Sequence, residues 1–167
     1  QERALRKRQL ITDLHDAISQ SRFELYYQPI ISLSDGSITR AEALLRWHHP
    51  ESGVVIPAVF IPIAEETGLI NEIGNWVFFE ACAKVKQWRE RFDRSFQVSI
   101  NTSQLQWIDE TALMNQWITH MRDQAIDGSA INVEITEDLL MNPRSRISNR
   151  LLDFRAAGIQ LSIDDFG

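Results

Sequence analysis

The chain has 167 residues, 44% of them hydrophobic, with five Trp and eight Phe. That content supplies one ordinary globular core and excludes a disordered chain. The net charge of -6 sets the bulk field against DNA and anionic membrane, so an anionic ligand needs bound cations or local arginines.

Apolar positions Ala4, Leu5, Leu10, Ile11, Leu14, Ala17 and Ile18 predict an amphipathic leading linker helix over residues 1–20. Arg3, Arg6, Lys7 and Arg8 read as its solvated face. Phe23 to Leu33 and Ile38 to Trp47 read as strands, and the turn Ser34-Asp35-Gly36-Ser37 between them predicts an antiparallel hairpin. His48 to Gly53 reads as a loop. Pro57 suits the first turn of a helix running to about Glu66, with Gly68 as its cap.

Beyond this point helices and strands alternate. Glu72 to Arg91, Thr111 to Gln124 and Pro143 to Ala157 read as helices, the last one stopped by Gly158. Phe96 to Ile100, Ile131 to Thr136 and Ile159 to Ile163 read as strands. This alternation implies βαβ crossovers and an α/β fold with a parallel sheet. The count is five strands, against the eight of a closed barrel. Half a barrel is expected to leave the inward faces of Leu25, Leu44, Ile100 and Ile135 without packing partners. The stripe Trp76, Phe79, Ala83 and Trp88 follows helical spacing and reads as core. Cys82, the single cysteine, reads as a small packing residue, and no disulfide is possible within one chain. That usage fits a reducing, cytoplasmic compartment. No apolar stretch reaches membrane-spanning length and no signal peptide is present. The chain begins at Gln1 without a methionine, so it reads as excised from a longer protein, whose own membrane attachment stays open.

Four apolar runs end in hard oxygen ligands: Glu42, Asn101, Glu134 and the pair Asp164-Asp165. Oxygen ligands gathered from separate strand ends suit a divalent cation such as Mg²⁺ or Mn²⁺. The mouth of a parallel β/α barrel is where strand ends converge. Glu42, Leu44 and Arg46 alternate along one strand and therefore share a face, so the arginine can grip a phosphate beside a carboxylate. Asp165 alone could equally cap a helix or pair with an arginine. Glu137 reads as a solvated loop or capping residue. His48 and His49 are adjacent, would point to opposite faces of a strand, and lack a Cys/His partner set for zinc.

Six segments then carry a family resemblance: Glu24-Leu-Tyr-Tyr-Gln-Pro-Ile30, Glu42-Ala-Leu-Leu-Arg-Trp47, Phe60-Ile-Pro-Ile-Ala-Glu-Glu-Thr-Gly-Leu-Ile70, Asn101-Thr-Ser103, Glu134-Ile-Thr-Glu137 and Asp164-Asp-Phe-Gly167. In this order and at this spacing they resemble the N-terminal part of an EAL domain, the cyclic-di-GMP phosphodiesterase of bacterial second-messenger signalling. The resemblance covers Phe23 to Gly167 and gives the division into residues 1–20 as leading helix and 21–167 as the first part of that domain. It implies a TIM-like (β/α)₈ barrel with an antiparallel first strand, and hydrolysis of cyclic-di-GMP to linear pGpG with two Mg²⁺ or Mn²⁺ ions. Glu42, Asn101, Glu134 and Asp164 then correspond to ligands of the first metal, and Asp164 with Asp165 to ligands of the second. Arg46 corresponds to the phosphate-binding arginine. Gln28, Leu45, Pro57 and Phe60 fall where the family touches its nucleotide.

Two metals about 3.5–4 Å apart clamp a phosphodiester, neutralise its charge and acidify a water. The family's later lysine, glutamate and glutamine lie beyond Gly167, so the fragment alone is expected to be inactive. The resemblance also implies an upstream sensory or GGDEF domain in the parent protein and allows a homodimer. The alternative is an EAL domain that has lost its chemistry and serves as a cyclic-di-GMP receptor or protein-interaction module. The intact first-half ligands argue against it.

Overall fold

The computed structural model describes residues 2–108, 114–141 and 147–164. Helix α1 (Glu2–Ser19) precedes strands β1 (Phe23–Ile31) and β2 (Ile38–His49), the short β3 (Gly53–Val55), and helices α2 (Pro57–Thr67) and α3 (Ile70–Arg91). Then follow β4 (Gln97–Asn101), α4 (Gln104–Ile108), α5 (Asn115–Asp123), a 3-10 turn (Gly128–Ala130), β5 (Ile131–Thr136), α6 (Glu137–Met141), α7 (Ile147–Ala156) and β6 (Gln160–Asp164). One sheet joins the strands in the order β1-β2-β4-β5-β6, with β3 on β2. β1 and β3 run antiparallel to β2, whereas β2, β4, β5 and β6 are mutually parallel. This is an open arc of a TIM-type barrel with an antiparallel first strand.

The sequence reading of the β2 end is corrected. His48 and His49 belong to the strand, because Gly53, at a φ of 70°, turns the chain back as β3 against Trp47, His48 and His49. The two histidines do point to opposite faces. His49 is buried; its Nδ1 accepts the amides of Glu51 and Ser52, each at 3.1 Å, so its Nε2–H donates to Asp13 of α1 at 3.1 Å. That bond is the main reason the Asp13 carboxyl sits below its ordinary range. Helices α4 and α6 and the 3-10 turn are too short to give a periodic signal. Glu137 is the first residue of α6. The helix starts expected at Thr111 and Pro143 lie outside the described residues. Gly68 and Gly158 stop their helices in the left-handed conformation, at φ of 79° and 83°.

Among the described residues the core lies on one side of the sheet. Phe23, Ala41, Ala43, Leu45, Trp47, Val98, Ile100, Ile131, Val133, Ile135 and Ile159 face the helices and are buried. On α3 the buried stripe is Ile70, Ile73, Val77, Phe78, Ala81, Cys82 and Val85. The expected stripe is therefore rotated: Trp76, Phe79 and Trp88 flank the core, and Ala83 is exposed. Burial pushes the Cys82 thiol up to about 12, which leaves it an inert packing group. Phe78 stacks on Trp117 of α5 at 4.2 Å, and Trp117 continues to Phe154 of α7 at 6.1 Å. Leu14 and Ala17 of α1 are fully buried against this layer.

The opposite, inner face is a second correction. Leu25 pairs with Leu45, and Ile100 with Ala43 and Val133, so Leu25, Ile100 and Ile135 belong to the helix-packed side. Of the four residues expected to face inward, Leu44 alone does so. Apart from Tyr26, Ile30, Ile38, Leu44 and Val54, the inner face is polar among the described residues.

Candidate active site

The strands that looked like apolar runs alternate. Val98-Ser99-Ile100-Asn101, Ile131-Asn132-Val133-Glu134 and Leu161-Ser162-Ile163-Asp164 each send two polar residues to the inner face. The pairing sets Ser99 beside Asn132, Asn132 beside Gln160 and Glu134 beside Ser162, so side chains of one kind meet diagonally across the tilted strands rather than within a register pair. In the lowest tier Gln97 Nε2 donates to Gln160 Oε1 at 3.0 Å and to the Ser129 carbonyl at 2.9 Å. One step up, Asn132 Nδ2 donates to Ser99 Oγ at 3.0 Å and to Ser162 Oγ at 2.9 Å. The next tier, at the C-terminal ends of β4, β5 and β6, holds Asn101, Glu134 and Asp164. Sequence reading missed the two lower tiers, although the alternation that encodes them was present.

Glu42 joins this tier from β2. It lies mid-strand, because β2 continues past the sheet as an antiparallel ribbon with β1. Its parallel pairing with β4 ends at Ala43, so Glu42 sits at the end of the parallel part. Asn101 Nδ2 donates to Glu42 Oε1 at 2.8 Å, which turns the amide oxygen of Asn101 away from that carboxylate. Gln28 of β1 is directly across from Glu42. Asp165 lies outside the described residues.

Glu134 registers the assembled charge. Burial, then the negative charges of Glu42 and Asp164, push its carboxyl up to about 7, while a hydrogen bond from Ser99 works in the opposite direction. Among the described residues no three His, Cys, Asp or Glu side chains close into a ready-made metal cage. The arrangement is instead an acidic cluster, in which a cation would relieve the repulsion that Glu134 feels from Glu42 and Asp164. The donor set, three carboxylates and one amide oxygen, is the hard oxygen chemistry of Mg²⁺ or Mn²⁺.

Beside the cluster lies a crevice of about 860 Å³, lined by Leu45, Pro57, Ile61, Glu65, Ile73, Asn101 and Ser103 among others. Glu65 of α2 and Ser103 are joined by a hydrogen bond of 2.7 Å across its floor. Leu45 and Pro57 thus border the crevice. Phe60 does not. It is fully buried, with ring centroids 5.9 Å from Phe23 and 5.7 Å from Trp47. Arg46 lies on the inner face with Glu42, its guanidinium over the Tyr26 ring.

The EAL domain family model matches residues 11–167. The chain is 42% identical over 154 residues to the oxygen sensor protein DosP of Escherichia coli, covering 92% of this chain and 19% of DosP. It is 33% identical over 166 residues to the cyclic di-GMP phosphodiesterase NbdA of Pseudomonas aeruginosa, covering 99% of this chain and 21% of NbdA. It thus spans about a fifth of the length of these curated relatives. A solved structure of the PaMucR phosphodiesterase in complex with c-di-GMP superposes with a TM-score of 0.88 at 34% identity, over 95% of this chain and 64% of that one. The acidic tier, the antiparallel first strand and these matches together place the chain in the EAL domain family.

Proposed function

We propose that this chain supplies the metal-binding and phosphate-binding part of a cyclic-di-GMP phosphodiesterase that releases linear pGpG. The observation that carries this reading is the convergence of Glu42, Asn101, Glu134 and Asp164 from four adjacent strands onto one face. Glu42, Asn101, Glu134 and Asp164 would hold one divalent cation, with Asp164 and Asp165 contributing to a second. Bound there, Mg²⁺ or Mn²⁺ would offset the phosphodiester's charge and acidify a water.

The chain's own residues do the rest. Asn101 adds a ligand without adding negative charge, so the anionic substrate meets less repulsion. Arg46 takes a phosphate oxygen with its planar fork of donors. The crevice bordered by Leu45 and Pro57 is large enough for a nucleobase and presents Glu65 and Ser103 as polar partners. Gln28 approaches the same ligand from β1. The family's EAL domains with solved c-di-GMP complexes support this substrate class.

Steady-state hydrolysis of cyclic-di-GMP by the full-length protein tests the reading, with product followed by liquid chromatography. Activity should require Mg²⁺ or Mn²⁺, and Ca²⁺ should inhibit because its longer, looser coordination misplaces the substrate. Glu42→Ala should cost at least about 100-fold, the scale of losing a ligand or electrostatic group at a reacting centre. Glu90→Ala, an exposed carboxylate of α3 away from the crevice, should cost little. Equal losses at equal melting temperature would overturn the assignment. Binding without turnover in the wild type would favour a receptor instead.

A further inference from the structure

Beyond Glu42, the β1–β2 ribbon carries Glu24, Tyr26, Leu44, Arg46 and His48 on the inner face. Glu24 lies directly across from Arg46, and Tyr26 across from Leu44. A glutamate opposite an arginine on an antiparallel pair is placed to form an ion pair. Here both residues turn elsewhere. Glu24 Oε2 is bonded to His48 Nε2 at 2.7 Å, one diagonal step further along β2. By the same diagonal step Arg46 lies over Tyr26, its guanidinium carbon 5.4 Å from the ring centroid. Arg46 Nη1 also donates to the Leu45 carbonyl at 2.9 Å. The His48 ring packs against Tyr26 at 6.4 Å and closes the set.

Both partners of Arg46 are therefore uncharged. Among the described residues, no carboxylate stands within ion-pair distance of it. A carboxylate in that position would cancel its charge at short range and compete with any arriving anion. An aromatic face and a carbonyl hold the guanidinium in place and leave its charge intact.

We propose that Glu24, Tyr26 and His48 form a positioning set that keeps Arg46 available to a phosphate of the nucleotide, with His48 acting by holding Glu24 away from it. This rests on the reading of Arg46 as the phosphate-binding arginine. The set predicts an unusual epistasis. Replacing His48 releases Glu24 to pair with Arg46 and weakens anion binding, and neutralising Glu24 in the same protein restores it.

The test is calorimetric titration of cyclic-di-GMP into the full-length protein with Ca²⁺ present, together with KM and kcat in Mg²⁺ and thermal melts of every variant. His48→Leu should weaken binding about three- to fivefold, the range of one exposed ion pair. The double variant Glu24→Gln, His48→Leu should return to within about twofold of wild type, a reversal that structural damage cannot produce. Tyr26→Leu should lose about two- to fivefold, chiefly in KM, and Tyr26→Phe should lose nothing. In an Arg46→Ala background Tyr26→Leu should have no further effect. A neutral His48→Leu, or a double variant that is not rescued, would overturn the set while a weakened Arg46→Ala upholds the phosphate reading. Undiminished binding by Arg46→Ala would overturn the phosphate reading itself, and the set with it.

Discussion

Glu134 shows how a single side chain reports the state of a site. Its carboxyl is pushed up to about 7 by burial and by Glu42 and Asp164, so the folded protein binds this proton more tightly than the unfolded chain does. The group's stabilising contribution is complete below the ordinary range near 4.5 and is lost as pH rises through 7. With EDTA present, the melting temperature is expected to fall between pH 5 and 8, and Glu134→Gln should flatten that fall. Thermal melts across this range check it; an unchanged slope in the variant would mean that Glu134 does not sense its neighbours. Glu134 and its partners were legible in the sequence because carboxylates at the ends of β-branched runs are conspicuous. Ser99, Asn132 and Ser162 were not, since short polar residues inside such runs look incidental until the folded sheet joins them by hydrogen bonds. The burial of Phe60 against Phe23 and Trp47 was equally hidden, since the sequence does not say which side of α2 a ring occupies.

At the level of elements, the hairpin, the parallel order and the long helices followed from periodicity and from Asp35-Gly36. The short elements did not, because one turn of helix carries no period. The rotated stripe on α3 has a similar cause: conspicuous aromatics drew the reading, while the smaller Ala81, Cys82 and Val85 form the contact. One close approach between elements was invisible in sequence. A Cβ on Gly128, in the turn before β5, would lie 2.0 Å from the Ala157 carbonyl oxygen and 2.6 Å from the Gly158 carbonyl carbon. Both obstacles are backbone at the end of α7, so no side chain can swing aside. Gly128→Ala is expected to destabilise the fold by about 1–3 kcal/mol, as overpacking does. Urea unfolding would measure this, and a loss under half a kcal/mol (roughly the scatter of surface substitutions) would contradict it.

At the scale of the molecule, the sheet among the described residues has two margins, β1 and β6. The β6 margin lies beside a crevice of about 750 Å³ lined by Leu140, Leu151, Leu152, Leu161 and Ile163, of which Leu140, Leu152 and Ile163 are exposed. An unpaired parallel strand next to apolar side chains recruits further chains. The 167-residue chain produced alone is therefore expected to self-associate and to hydrolyse no cyclic-di-GMP. Ile163→Lys should shift it toward monomer. Light scattering of the two proteins decides the matter; a wild-type monomer with a sharp melt would show that this margin is harmless. The sequence anticipated an open edge but placed the exposed apolar surface on the wrong face. Parallel strands are usually apolar on both sides, and here they are not.

The polar tiers of Gln97, Asn132 and Ser162 carry a thermodynamic consequence. A barrel half with an apolar concave face would join its complement with a large negative heat-capacity change. This concave face would bury mostly amides and hydroxyls, whose dehydration changes heat capacity in the opposite sense to hydrocarbon. Closure over such a surface should show a small heat-capacity signature and depend on matching donors with acceptors. Orientation, more than area, would then decide which complement fits.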